Sequence, residues 1–180
     1  MFRDNSLIPA EAVRLAALGL LAEAPRRYGD LALEIRHFTS HVVGPSLDLM
    51  GTSLELLRFE GLVAAVDGEG MADNAVLQLT ERGRAALDGL LQAQLRAPVN
   101  DLNRLALLLK LRFLHHLPAG EQQVQLALMA ESLDSERARL EELVRRHGTP
   151  GLLAEWLAAD IAMVSERITW LQRRSAAGSQ

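Results

Sequence analysis

Gly61-Leu62-Val63-Ala64-Ala65-Val66-Asp67-Gly68-Glu69-Gly70-Met71-Ala72-Asp73-Asn74-Ala75-Val76-Leu77-Gln78-Leu79-Thr80 is the stretch on which the fold turns. Residues 62–67 are short and partly β-branched, and residues 75–79 repeat that character after a seven-residue interval, 68–74, that holds Gly68, Gly70, Asp73 and Asn74. Two short apolar runs around such an interval predict a β-hairpin. Thr80 then has the hydroxyl of a helix N-cap, and residues 81–96 follow as a helix with Ala85, Leu87, Leu90, Leu91 and Leu95 on its apolar side. A two-stranded ribbon alone is marginal in water, so it must pack on neighbouring helices.

Three helices precede the ribbon. In residues 10–24, Val13, Ala16, Ala17, Leu20 and Leu21 recur at helical spacing until Pro25 stops the run. Arg26-Arg27-Tyr28-Gly29-Asp30 reads as a polar turn, with Asp30 capping a second helix whose apolar positions are Leu31, Ile35 and Phe38 and which fades by Ser40. After Val43-Gly44-Pro45, Ser46 caps a third helix with Leu47, Met50, Leu54 and Leu57 on one face, and Gly61 suits the left-handed position past its end. Helix, helix, helix, hairpin, helix is the order of a winged helix-turn-helix.

From residue 97 the pattern is helical throughout. Residues 102–117 are apolar almost all round, which predicts burial against several partners. Pro118-Ala119-Gly120 ends that segment, and 121–147 is a long helix with Leu126, Met129, Leu133, Leu140 and Leu143 on its seam, interrupted at Glu136. After Gly148-Thr149-Pro150-Gly151, a last helix over 152–173 carries Leu153, Leu157, Ile161, Val164, Ile168 and Leu171, with Trp156, Met163 and Trp170 beside them; Ser175 to Gln180 reads as a frayed tail. So wide an apolar face is most economically buried across a two-fold interface. The expected fold is mainly α: a winged helix-turn-helix domain over 1–96 and an all-helical dimerisation domain over 97–180.

Composition bounds the function. At 180 residues, 49% hydrophobic and 23% charged, the chain has enough apolar material for a core, and without cysteine it has neither disulfides nor thiol chemistry. No basic-then-apolar leader opens it and no run nears the ~18 apolar residues of a membrane span, so the cytoplasm is expected and a membrane partner is not. The net charge of −4 sits wholly in residues 1–96, nine Arg against thirteen acids, while 97–180 balances ten against ten. Duplex DNA normally selects a basic footprint, so the winged half is electrostatically unusual for a DNA reader.

No nucleophile elbow, phosphate loop or dinucleotide fingerprint occurs, and an enzyme is not expected. Gly68 and Gly70 precede a strand rather than a helix and fit a wing turn. His37 and His41 share a helix face, but Phe38 stands where a hydrolytic zinc motif needs Glu. His115 and His116 are adjacent, splayed about 100° by a helix, with one facing solvent. Neither pair predicts a metal, and no cofactor is implied. Trp156 and Trp170, with Met163 midway and Phe113 nearby in the helical half, have two readings: core or dimer-interface packing, or the walls of a hydrophobic effector pocket between subunits.

With these residues in hand, the chain resembles the PadR family of winged-helix transcriptional regulators. The similarity lies in Leu18-Gly19-Leu20-Leu21-Ala22-Glu23-Ala24-Pro25 with Tyr28-Gly29, in Leu54, Leu57 and Gly61-Leu62-Val63, and in Leu79-Thr80-Glu81-Arg82-Gly83-Arg84. It extends to the longer members in Phe113-Leu114-His115-His116-Leu117-Pro118 and Trp170-Leu171. The resemblance implies a homodimer on a palindromic operator and, in some members, a small ligand near the C-terminal helices. Where that family's recognition helix carries Tyr and several bases, this chain has Gly51-Thr52-Ser53, and between Pro45 and Glu60 its only base is Arg58 beside Asp48, Glu55 and Glu60. The wing tip reads Met71-Ala72-Asp73-Asn74. Candidate DNA contacts are therefore Arg26, Arg27, Tyr28, Arg36, Ser46, Thr52, Ser53 and Arg58. The alternative is a winged-helix adaptor that has lost DNA binding and meets a basic protein partner through its acidic face.

Overall fold

The computed structural model describes residues 9–44, 50–66, 74–95, 101–147 and 150–177. In chain order the elements are α1 (Pro9–Glu23), β1 (Arg26–Arg27), α2 (Tyr28–Val43), α3 (Met50–Phe59), β2 (Val63–Ala65), β3 (Val76–Leu79), α4 (Glu81–Gln92), α5 (Asp101–Phe113), a 3-10 turn (Leu114–His116), α6 (Ala119–His147) and α7 (Leu152–Ala177). The ribbon is present: β2 and β3 pair antiparallel with Val63 opposite Leu79 and Ala65 opposite Leu77. Gly61, at φ +71°, makes the left-handed exit from α3. The tip residues 67–73 lie outside the described residues.

The sheet has three strands rather than two, in the order β1-β3-β2. Arg26 and Arg27, read as a polar turn, pair with Leu77 and Val76, and the Tyr28 amide donates to the Ala75 carbonyl at 2.9 Å. The second edge of β3 offered unpaired backbone groups, and the extended chain leaving Pro25 satisfies them. Helix α2 accordingly starts at Tyr28, with extended Arg27 as its N-cap residue and no side-chain cap bond; Asp30 sits inside the first turn, where an acid favours the helix dipole, and the helix runs on to Val43.

Thr80 ties the wing to α4. Its Oγ1 accepts from the Gly83 amide at 3.0 Å, while the hydroxyl lies within donating distance of the carbonyls of Gly61 (2.8 Å) and Leu62 (3.0 Å). A Cβ on Gly83 would stand 2.0 Å from the Leu62 carbonyl oxygen, so glycine is required by the close approach. Gly83, Leu87 and Leu91 form the buried stripe of α4; Ala85, expected on it, is exposed, and the helix stops at Gln92 rather than at 96 because Ala93 is extended.

Helix α1 is the centre of the molecule. It packs on α2, α3, α4, α5 and β3, and from Ala12 to Leu21 every residue but Arg14 is buried. The five-residue apolar stripe of the sequence reading is thus too narrow, because α5 covers the side left open to solvent. Gly19 permits this contact, since a Cβ there would lie 2.5 Å from the Phe113 ring. Helix α5 also packs on α2, and one continuous core runs from α1 into the last helices.

Helices α6 and α7 form a hairpin joined by Leu126, Met129, Ala130 and Leu133 against Val164, Ile168 and Leu171, with Leu157 buried nearer the turn. The seam of α6 fades after Leu133, near the interruption expected at Glu136; Leu140 is half-buried and Leu143 exposed. The end of α7 is not frayed at Ser175. The helix continues to Ala177, and the Ser175 hydroxyl donates to the Gln123 carbonyl at 3.0 Å.

Candidate nucleic-acid interface

The candidate contacts that fall among the described residues lie on β1, α2 and α3. Arg27 on β1, Arg36 on α2 and Arg58 on α3 are exposed and make no ion pair among the described residues. Arg26 differs. Its guanidinium bonds Glu34 at 2.7 Å and Glu23 at 3.0 Å, and its Nε donates to the Leu20 carbonyl at 3.3 Å, so its donors are already committed inside the protein. Tyr28 is half-buried against the core at the start of α2. Thr52 and Ser53 belong to the first turn of α3, where the description extends only to the backbone, and Ser46 lies outside the described residues.

Glu34 is a hub. Its second oxygen accepts from Arg112 of α5 at 2.5 Å, and that guanidinium also lies over the rings of Phe38 (5.4 Å) and Phe113 (5.1 Å). Edge strand β1, helix α2 and helix α5 are therefore held by one shared carboxylate. At the far end of α3, Glu60 is paired in bidentate fashion with Arg14 of α1. The hydrogen bond from Arg14 holds the Glu60 carboxyl below the usual carboxylate range against the opposing effect of burial, with the charges of Arg14 and Arg82 adding to the shift. One of the acids that counted against anion binding by α3 is thereby neutralised locally. Arg82 and Arg84 on α4 are exposed and unpaired among the described residues, and extend the set of available cations.

Sequence reasoning missed the apolar part of this surface. Phe59 at the end of α3 is 90% exposed, Leu56 is 46% exposed, and Leu33 on α2 is 65% exposed. The signal was present: Leu56 and Phe59 lie three apart, off the stripe of Leu54 and Leu57 that α3 buries.

The second predicted site divides. Phe113 is fully buried beneath Gly19, whereas Trp156, Met163 and Trp170 lie exposed along α7. Arg174 stands over the Trp170 ring at 5.8 Å, and Arg167 approaches the Met163 sulfur at 3.8 Å. Within one chain these three side chains form an open stripe. A groove of about 820 Å3 lies elsewhere on the hairpin, lined in part by Gln123, Ala127, Glu131, Gln172 and Ser175.

The histidines keep to local roles. His41 Nδ1 lies 2.7 Å from the His37 carbonyl, and among the described residues no group of three or more candidate ligands could hold a metal ion. His115 and His116 fall in the 3-10 turn with ring centroids 4.2 Å apart, closer than a helical splay suggests. His115 is exposed; His116 stacks near Phe113, and its buried Nε2 has no hydrogen-bond partner among the described residues. Burial first, and then the charge of His115, lower the His116 pKa.

The sequence profile of the family described as "Putative AphA-like transcriptional regulator" matches residues 2–175, nearly the whole chain. The chain belongs to the AphA-like family. No curated protein matches it. The AphA-like assignment covers both the sheet-bearing portion and the hairpin, and it names a regulator of transcription; the PadR resemblance is not what the match names. For this AphA-like chain, no described helix is long and apolar enough to cross a membrane.

Proposed function

We propose that this AphA-like protein is a homodimeric, PadR-like DNA-binding regulator that acts in the cytoplasm on a palindromic operator. Residues 1–96 read DNA and residues 97–180 dimerise. The observation that carries the reading is the three-stranded sheet in contact with α2 and α3, with Arg27, Arg36 and Arg58 exposed and without an ion pair among the described residues on the elements a winged helix-turn-helix turns toward the duplex. Helix α3 enters the major groove, Thr52 and Ser53 contribute hydroxyls, and Arg27 and Arg36 contact phosphates. Two copies pair through the stripe of Trp156, Met163 and Trp170, which also supplies the wall for a small hydrophobic effector. With few bases available per chain among the described residues, binding is weak, its salt slope is shallow, and the complex is expected only at low salt. Footprinting on the DNA upstream of its own coding sequence, in a salt series, is expected to protect two symmetric half-sites. Absence of any salt-sensitive complex at the lowest salt would exclude the reading.

A second reading is favoured by one observation. The outer face of α3 joins exposed Leu56 and Phe59 to Glu55, an apolar and acidic surface that suits a basic protein partner better than phosphate. Crosslinked pull-down with and without nuclease separates the two: nuclease releases the partner of a DNA reader and leaves that of an adaptor.

A further inference from the structure

Of the 19 basic residues of the chain, 18 are Arg and one is Lys, and that lysine is the most deeply buried polar group described. Lys110 stands on α5 at 1% exposure, although a lysine is almost never enclosed without a counter-charge. Its Nζ donates to the carbonyl of Ala93, the residue that ends α4, and to Oε1 of Gln125 on α6, itself 3% exposed, at 3.0 Å. One side chain thus joins the last turn of the winged portion, the helix beneath it and the first turns of the hairpin.

Among the described residues, the charged groups on the elements packed around it are paired with other groups, exposed or half-buried. On α1, Glu23 pairs with Arg26 and Arg14 with Glu60; on α5, Arg104 is exposed and Arg112 pairs with Glu34. On α4, Arg84 is exposed and Asp88 half-buried; on α6, Glu121 and Glu131 are exposed, and His116 in the 3-10 turn faces His115, Glu23, Arg84 and Asp88. None of these is bonded to Lys110. An ammonium carries three N–H donors, whereas among the described residues the site offers two acceptors, both neutral. A neutral amine has two donors and fits it. Arginine, which does not deprotonate in proteins, could not exchange one state for the other.

We propose that Lys110 is a proton-operated latch between the winged portion and the α6–α7 hairpin, closed when its amine is neutral and loosened when a proton from solvent converts it to the ammonium. The inference rests on the α4–α5–α6 junction alone and stands whether or not the protein binds DNA. Burial lowers the Lys110 pKa from 10.5 to about 8, which places the change near neutral pH.

Because the chain has one lysine, selective labelling at lysine Cε gives a single ε resonance. Its titration between pH 6 and 11 is expected to show a midpoint near 8; a midpoint at 10.5, or no titration, overturns the proposal. Amide exchange in the last turn of α4 and the first turns of α6, corrected for intrinsic rates, then reads the latch. If opening returns Lys110 to water, linkage makes the opening constant fall about tenfold from pH 7 to pH 9 in the wild type and leaves it flat in Lys110→Met. Equal pH response in both proteins, or flat protection in the wild type despite a midpoint near 8, also overturns it. Should Lys110→Met fail to fold, the two wild-type measurements decide.

Discussion

Helices α1 and α7 are both rich in apolar residues, yet they dispose of them in opposite ways. Along α1 the run from Ala12 to Leu21 is almost wholly enclosed by four other helices and a strand. Along α7 only Leu157, Val164, Ile168 and Leu171 are covered, while Leu152 is 84%, Trp156 69% and Leu153 55% exposed. The sheet-bearing portion encloses α1 within one chain; the hairpin covers α7 on one side only. An apolar stripe of this extent on a folded protein marks an interaction surface, which is why pairing of two chains is proposed there.

This contrast can be tested by mutation, beginning where the effect is greatest. Leu18→Ala, at the fully enclosed centre of α1, is expected to lower the unfolding free energy by about 2–5 kcal/mol in denaturant titration, since neighbours on every side prevent collapse of the cavity. Gly83→Ala drives a methyl into the Leu62 carbonyl and should cost about 3 kcal/mol, despite the higher helix propensity of alanine. Both place stability in the winged core, and a loss below about 1 kcal/mol in either would refute that placement.

The junction between the regions predicts a pH dependence. The pKa of Lys110 is lower folded than unfolded, so between about pH 8 and 10.5 the unfolded chain binds more protons and stability rises with pH. The penalty of the buried charge is fully present below pH 8 and is relieved as pH climbs toward 10.5, a gain of about 3 kcal/mol relative to Lys110→Met measured alongside. A difference between the two proteins that stays constant over this range would show that the amine does not titrate there. The smallest effect belongs to α7. Trp156→Ala combined with Trp170→Ala should change the stability of a single chain by under about 0.5 kcal/mol, because neither ring is enclosed, while sedimentation shows the two-chain species lost. A large loss of single-chain stability with association intact would invert the comparison.

Much of the winged portion was legible. Gly61, the paired apolar runs and Thr80 are local signals, acting through a left-handed turn, strand alternation and a cap within a few residues of each other. Strand β1 was not, because Arg26-Arg27 carries no strand propensity and is extended only because β3, some 50 residues on, needs a partner. Of the candidate contacts, Arg27, Arg36 and Arg58 could be picked as bases, but nothing near Arg26 in sequence shows that Glu34 and Glu23 hold it. Lys110 was hidden inside an apolar helix, and only its enclosure by α4 and α6 makes it notable.

Apart from β1, the sequence by itself determined the order of the described helices and strands, and that the chain is mostly helical, since caps, glycines and periodicity act between near neighbours. Tertiary structure alone decided which apolar faces are covered, which arginines are free and which lysine is enclosed. Burial and ion pairing join residues far apart in the chain, and their free energy exists only once α5 lies against α1 and α7 against α6.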